Sequence, residues 1–164
     1  MIPTIKRILY ATDLSDNARY AFGYAADLAS RYDARITILS VIENLNRVAE
    51  IEIMEMMGPE KWETFKSGRL ENLKGKIRER IRDVCAEMDQ EIDTCSLMAD
   101  DIRVTRGVPY EEILKAAEDA GADIIVMGTR GYTMFKDSLL GGTARRIVKD
   151  SRIPVMVIRL PESG

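Results

Sequence analysis

The sequence predicts one α/β domain, a doubly wound five-stranded parallel sheet with helices on both faces. Two observations lead to this fold class. Short apolar runs alternate with helical stretches along the chain, and strands that alternate with helices favour a parallel sheet. The chain has 164 residues, which is the length of one domain with its own core. We assign residues 1–160 to this domain and 161–164 to a short tail.

The first predicted elements are a strand, a helix and a second strand. A β-rich run over residues 5–11 ends at Thr12-Asp13-Leu14-Ser15, where polar side chains can turn the backbone. Ser15 has the character of a helix cap rather than of a nucleophile. Apolar residues at steps of three and four then predict a helix over 16–32. Residues 34–42 predict the second strand.

Residues 43–60 have no clear periodicity and are rich in methionine. We interpret them as a flap or interface segment and expect their apolar side chains to pack in the core rather than to form a partner surface. Pro59 suits the first turn of a helix. An apolar stripe predicts that this long helix continues from Trp62 to Met88.

The second half of the chain repeats the alternation of strand and helix. Gly and Pro residues separate its elements, as they do at helix ends and turns. The predicted elements are a strand over 102–106, a helix from Pro109 to Gly121, a strand over 122–128, a helix over 142–150 and a strand over 155–158.

Composition argues against several classes of function. The net charge of −3 and the pI near 5.2 disfavour nucleic-acid binding. The sequence contains no histidine, so Ser-His-Asp and Cys-His catalysis lack their base and a zinc site lacks its commonest ligand. No apolar stretch approaches the length of a membrane span or of a secretory signal. We therefore expect a cytoplasmic protein without a membrane partner, and we assign no catalytic residue and no metal ligand.

Glycines flank the end of the fourth predicted strand and the start of the following helix. Gly128 and Gly131 lie at the end of the strand, and Gly141 and Gly142 lie at the start of the helix. Backbone N–H groups at a helix start carry partial positive charge, and glycine lets an anion approach them closely. Arg130 lies between these glycines and could pair with a phosphate. The pattern predicts a site for an anionic ligand such as a nucleotide.

Asp13 follows the first predicted strand, so it should face the glycine loop across a crevice. Ligands of doubly wound sheets bind beyond the carboxyl ends of the strands, where the winding order reverses. A carboxylate there could accept hydrogen bonds from ribose hydroxyls. An Asp near a helix start also commonly serves as a cap, and at this point both roles for Asp13 are open.

These motifs resemble the universal stress protein family over nearly the whole chain. The family carries Gly-x-x-Gly, nine residues, then Gly and Ser or Thr, and Gly128, Gly131 and Gly141 match that spacing. The segments 8–15 and 154–158 resemble its first and last strands. The resemblance implies a sheet ordered 3-2-1-4-5 and, in the ATP-binding branch, a bound nucleotide.

Carried onto matching positions, the resemblance implies a set of residues that contact ATP, with Mg²⁺ bound through the phosphates. Asp13 would hold the ribose, Val41 would meet adenine through its backbone, and the glycine loop would line the phosphates. The implied nucleotide-binding residues are Asp13, Val41, Met127, Gly128, Arg130, Gly131, Gly141, Gly142 and Thr143.

One position departs from the family pattern, and it leaves three classes of function open. Gly142 stands where the pattern has a hydroxyl, and Thr143 follows one residue later. The first class is an ATP-binding regulatory protein of the stress response that acts through nucleotide-dependent conformation and dimerisation. The second is a weak ATP hydrolase. The third is a homodimeric interaction protein whose glycine loop is a structural relict.

We also expect a homodimer that forms through the last strand, Val155 to Ile158. The topology places this apolar strand at the edge of the sheet, and exposed strand edges pair readily with a second copy. The resemblance supports the same expectation, and a further protein partner would be of unknown identity.

Overall fold

A computed structural model describes residues 1–44, 46–88, 101–129 and 140–161 of the chain. Its elements follow the predicted alternation of strands and helices. They are, in order, β1 (Arg7–Ala11), α1 (Asp16–Tyr32), β2 (Arg35–Glu43), α2 (Arg47–Met57), α3 (Pro59–Met88), β3 (Ile102–Gly107), α4 (Pro109–Asp119), β4 (Ile124–Gly128), α5 (Gly142–Asp150) and β5 (Val155–Ile158).

The five strands form one parallel sheet in the order β3-β2-β1-β4-β5, which confirms the predicted fold class. Alternate residues of β1 point to opposite faces of the sheet, as the strand period requires. Ile8 packs in a core layer with residues of α1 and α3, whereas Leu9 packs in a second layer with residues of α4 and α5. Helices therefore cover both faces, and β1 is buried between them.

The methionine-rich segment differs from the prediction. Residues 47–57 form helix α2, which begins after Asn46, whose side chain accepts a hydrogen bond from the backbone N–H of Val48 at 3.1 Å. None of the residues of α2 is buried, and Met56 is 87% exposed. The expectation that these side chains pack in the core was wrong, because α2 lies outside the two core layers.

The start of β4 is also later than predicted, at Ile124 rather than at residue 122. The cause is the end of α4, which closes with a left-handed Gly121 (φ +57°). The backbone N–H of Ala122 donates to the carbonyl of Ala117 at 2.9 Å, and that of Gly121 donates to Glu118 at 3.0 Å. These two bonds make a Schellman cap, so residue 122 still belongs to the helix end.

Among the described helices, none is both long and apolar enough to cross a membrane.

Asp123 joins the amino ends of β4 and β1. Its Oδ2 accepts hydrogen bonds from the backbone N–H groups of Lys6 and Arg7, both at 2.8 Å. These two bonds lower the pKa of Asp123, because they stabilise the carboxylate. Lys6 and Arg7 are thereby held at the start of the ladder, and β1 begins at Arg7 rather than at residue 5.

We predict that Asp123→Asn lowers the free energy of unfolding at pH 7 by about 1 kcal/mol, since two charge-assisted hydrogen bonds become neutral ones. The pKa of Asp123 is lower in the folded than in the unfolded chain. The contribution of the Asp123 carboxylate to the free energy of unfolding is therefore fully present above the unfolded pKa, near 3.9. It is lost as the pH falls through the folded pKa.

Urea unfolding of the wild type and of Asp123→Asn between pH 7 and pH 3 measures this difference. It should be constant from pH 7 to about pH 5 and should shrink below the unfolded pKa of about 3.9. A difference that grows as the pH falls would contradict the assigned role of the carboxylate.

Candidate functional site

A cavity of about 470 Å³ opens at the carboxyl ends of the three central strands. Its walls come from β1 and the loop after it, from β2 and β4, and from the amino-terminal ends of α1, α4 and α5. The lining residues are Ala11, Thr12, Asp13, Ala18, Leu39, Val41, Glu43, Pro109, Ile113, Met127, Gly128, Thr129, Gly141, Gly142, Thr143 and Ala144.

All of the predicted site residues that the structure describes line this one cavity. They come from segments far apart in the sequence, since Asp13 follows β1, Val41 belongs to β2 and Met127 to β4. Gly128, Gly141, Gly142 and Thr143 complete the set. Arg130 and Gly131 lie outside the described residues.

The loop after β1 is held by three local hydrogen bonds. Thr12 Oγ1 accepts from the backbone N–H of Leu14 at 3.1 Å, and Asp13 Oδ1 accepts from that of Ser15 at 2.9 Å. Ser15 Oγ then accepts from the N–H of Ala18 at 3.2 Å, which makes Ser15 the predicted cap of α1. These bonds hold Leu14 in the left-handed region at φ +66°.

Asp13 therefore has a turn-forming role, and it also faces the cavity. The side chain is exposed, and its Oδ1 is engaged by Ser15. Within the described part of the chain, no hydrogen bond or ion pair engages its Oδ2. The two roles considered for Asp13 are thus compatible, because one oxygen can hold the turn while the other meets a ligand.

Tyr10 supports the first turn of α1 from below the cavity. Its hydroxyl donates to the carbonyl of Ala18 at 2.6 Å, and its ring packs against Phe22 with centroids 5.1 Å apart. Burial raises the pKa of Tyr10, so the phenol stays neutral and remains a donor. This contact positions Ala18, which lines the cavity.

Gly128 lies where α1 packs against the end of β4. A Cβ atom at Gly128 would lie 2.5 Å from Asn17 Oδ1 and 3.3 Å from the backbone carbonyl carbon of Asn17. Asn17 is buried, and its Nδ2 donates to the carbonyl of Ile158 at 3.3 Å. Thr129 Oγ1 donates to Asn17 Oδ1 at 3.4 Å. Glycine at 128 is thus required by packing.

The amino-terminal end of α5 lines the cavity next to the end of β4. Its cap residue is Gly141, whose backbone N–H donates to the carbonyl of Thr129 at 2.7 Å. No side chain of a described residue caps this helix. The N–H groups of Gly142, Thr143 and Ala144 therefore lack intrahelical partners and carry the positive end of the helix dipole.

Gly142 differs from Gly128 in its surroundings. No heavy atom of a described residue lies within 4 Å of the place where a Cβ of Gly142 would stand. Among the described residues, nothing in the packing requires glycine at this position, which lines the cavity.

The charges on the described cavity wall are negative. Asp13 and Glu43 contribute carboxylates, whereas no lysine, arginine or histidine is among the lining residues that the structure describes. Groups of three or more candidate metal ligands are likewise absent from the described residues. An anionic ligand would have to rely on backbone dipoles, on a cation that it brings, or on residues outside the described set.

Several lining residues were missed by the sequence analysis. Glu43 could have been found, because it lies two residues after Val41 and side chains of a strand alternate between its faces. Pro109 and Ile113 could not, since their position depends on how α4 packs over β2. Asn17 gives no sequence signal for its contact with Gly128, which joins residues 111 positions apart.

Comparisons with known proteins agree with this architecture. The sequence model of the universal stress protein family matches residues 4–159. Universal stress protein MJ0577 of Methanocaldococcus jannaschii is 31% identical over 159 residues, which cover 96% of this chain and 97% of that protein. Universal stress protein MJ0531 of the same organism is 30% identical over 157 residues, which cover 96% of this chain and 84% of that protein.

Solved structures show the same fold. The structure of MJ0577 superposes with a TM-score of 0.72 at 27% identity and covers 98% of this chain and 100% of that one. A universal stress protein solved in complex with cAMP gives a TM-score of 0.61 at 17% identity, with 95% of this chain and 98% of that one covered.

We predict that alanine has different effects at Gly128 and Gly142, two of the three glycines that line the cavity. Gly128→Ala should lower the free energy of unfolding by about 1–3 kcal/mol, because the new Cβ overlaps Asn17. Gly142→Ala should leave it unchanged or raise it by less than about 1 kcal/mol, since the space is open and alanine favours the helix. Urea unfolding measures both values.

The variant Asn17→Ala provides the control for the contact itself. In a double-mutant cycle, Gly128→Ala should cost less in the Asn17→Ala background than in the wild type, because the overlapping side-chain atoms are gone. Equal costs in both backgrounds would show that the close approach of α1 to Gly128 is not what destabilises the variant.

Proposed function

This chain belongs to the universal stress protein family, and from that premise we propose that it is an ATP-binding regulatory protein of the cytoplasmic stress response. In this proposal nucleotide occupancy changes its conformation and its dimerisation. The observation that supports it most is the single cavity that unites Asp13, Val41 and Met127 with the amino-terminal end of α5.

The α5 end of the cavity is suited to phosphates. The three residues of its first turn whose N–H groups lack intrahelical partners, Gly142, Thr143 and Ala144, line the cavity, and Gly141 and Gly142 have no side chain to cover them. Phosphate groups bind at helix amino-terminal ends because the N–H groups and the helix dipole both favour negative charge. This end would therefore take the terminal phosphate.

The other parts of a nucleotide fit the remaining wall. β2 and β4 both neighbour β1, so their ends lie roughly 10 Å apart. Apolar side chains of Leu39, Val41 and Ile113 line the β2 side, which suits a base, and Asp13 lies between the two ends, which suits ribose hydroxyls. The distance between the ends of β2 and β4 is comparable with the distance between the base and the phosphates of a nucleotide.

The negative wall supports a nucleotide that binds together with Mg²⁺. Asp13 and Glu43 would repel a bare triphosphate, whereas Mg²⁺ held by the phosphates reduces its charge. The fold neighbour that was solved with cAMP contains an adenine nucleotide, so a ligand of this class is compatible with this fold.

We propose binding rather than efficient turnover. The sequence contains no histidine, and neither carboxylate of the wall has the environment of a general base, because both are exposed. We expect at most slow ATP hydrolysis, well below about 1 s⁻¹, the lower end of the usual enzymatic scale.

We predict that ligand-free protein binds Mg-ATP with a micromolar to sub-millimolar dissociation constant. Asp13→Asn should weaken binding about tenfold, because the amide oxygen can keep the bond to Ser15 while the amide nitrogen cannot accept from ribose. Gly142→Ser should strengthen binding by up to about tenfold, because its hydroxyl enters space that no described residue occupies, at the end proposed for the phosphates. Isothermal titration calorimetry measures all three constants.

Thermal unfolding without nucleotide is the control, and both variants should melt close to the wild type. Absence of binding at millimolar Mg-ATP in the wild type would overturn the proposed function and favour a relict glycine loop. Binding that Asp13→Asn leaves unchanged would remove Asp13 from the ribose site.

We also propose that the protein forms a homodimer through β5. This strand is at the edge of the sheet, and its residues Val155, Met156 and Val157 are only partly buried. Among the described strands, only β4 pairs with β5, so the other side of β5 offers backbone groups to which a second copy could bind.

We predict that Val157→Lys shifts the dimer to a monomer, because a charged side chain on an edge strand opposes pairing with a second apolar edge. Sedimentation velocity at tens of micromolar measures the shift. Val48→Lys on α2 is the control for an added surface charge, since Val48 is 61% exposed and α2 packs against α3. A monomeric wild type would contradict the proposed interface.

A further inference from the structure

Glu43 is the polar side chain at the end of the cavity where the base would lie. β2 places Leu39, Val41 and Glu43 on the same face of the sheet, because strand residues alternate between faces. The packing agrees, since Leu39 and Val41 contact the α4 and α5 layer, whereas Ile42 contacts the α1 and α3 layer. All three residues of this face line the cavity.

The surroundings of Glu43 restrict what it can meet. On the β2 side of the cavity the other described lining side chains are apolar, namely those of Leu39, Val41, Pro109 and Ile113. The hydroxyl of Thr12 and the carboxylate of Asp13 come from the loop after β1, closer to the centre. A base held in the apolar slot would thus present its edge to Glu43.

An ionised carboxylate accepts hydrogen bonds and donates none. Adenine carries one N–H donor group on its base, the 6-amino group, and its ring nitrogens are acceptors. A base that presents a 6-oxo group at that place would bring two acceptors together, and its binding would lose the desolvation energy of both.

We propose that Glu43 determines base specificity by accepting a hydrogen bond from the 6-amino group of adenine. This inference rests on the proposed function and names the part of the ligand that the β2 end recognises. Glu43 is exposed, so the bond forms at the rim of the cavity and its contribution is a selectivity of about tenfold rather than of many thousandfold.

The test compares three triphosphates that differ only at the base. ATP carries the 6-amino group, purine riboside triphosphate carries hydrogen there, and inosine triphosphate carries oxygen there. The wild type should bind ATP about tenfold more tightly than purine riboside triphosphate, which lacks the donor at position 6, and more tightly than inosine triphosphate, which has an acceptor there. Calorimetry with Mg²⁺ at one ionic strength gives the three constants.

Glu43→Ala should reduce the ratio of ATP to purine riboside affinity to near one. Glu43→Gln should increase the affinity for inosine triphosphate relative to that for ATP, because the side-chain amide can donate a hydrogen bond to the 6-oxo group. Either substitution removes a negative charge and so strengthens the binding of all three triphosphates equally. This effect cancels in the ratios of their dissociation constants. Glu52→Gln on α2 is the matched control, since it removes the same charge outside the cavity wall.

The outcomes separate the inference from the function on which it rests. If the wild type binds ATP and the ratios are the same in Glu43→Ala, the specificity role of Glu43 is overturned while ATP binding stands. If the wild type binds none of the three triphosphates, the proposed function itself fails. Ratios that collapse in the Glu43 variants and persist in Glu52→Gln support the inference.

Discussion

The close approach of α1 to the end of β4 is the contact on which the cavity depends. Asn17 lies so near Gly128 that a single Cβ would overlap it. The same amide group binds the carbonyl of Ile158 and the hydroxyl of Thr129. A buried amide must find partners for its donors and acceptors, since an unsatisfied one costs about 1–3 kcal/mol. One side chain thereby fixes α1, β4 and β5 relative to each other.

This contact also connects the cavity to the edge of the sheet. The carbonyl of Ile158 accepts from Asn17 Nδ2 and from the backbone N–H of Thr129, and the carbonyl of Thr129 accepts from Gly141, the cap of α5. Two backbone hydrogen bonds of Thr129 thus connect the end of the edge strand to the start of α5. A ligand that shifted the first turn of α5 would act on β5 through Thr129, which would connect the proposed nucleotide site to the strand edge proposed for dimerisation.

The sheet could be predicted from the sequence because its signals are local. The strands are short apolar or alternating runs, and polar turn residues in the first half of the chain and Gly and Pro residues in the second half separate them from the helices. The order of elements therefore follows from local sequence patterns. The prediction for residues 43–60 was wrong because the relevant signal is not local. Its apolar residues lie on a helix without a buried face, and apolar content by itself does not say whether a helix has a neighbour to cover it.

The cavity wall was predictable only in part. Asp13 and the glycines were found because they follow predicted strands, and the ends of parallel strands meet at one edge. The wall contributed by α4 was not found, since the position of Ile113 over β2 is set by how the second core layer packs. The contact between Asn17 and Gly128 was missed for the same reason, although it is what requires glycine at 128.

Gly128 and Gly142 therefore carry different information about function. Glycine at 128 is needed by the fold whether or not a ligand binds, because Asn17 occupies the space of its missing side chain. Its presence in the motif cannot by itself argue for a nucleotide. Gly142 contacts no described residue at the place of a Cβ, so the described part of the fold gives it no packing reason to be glycine. A residue that packing does not constrain is free to be selected by a ligand, so substitutions at 142 test the proposed phosphate-binding end of the cavity more directly than substitutions of the motif glycine at 128 do.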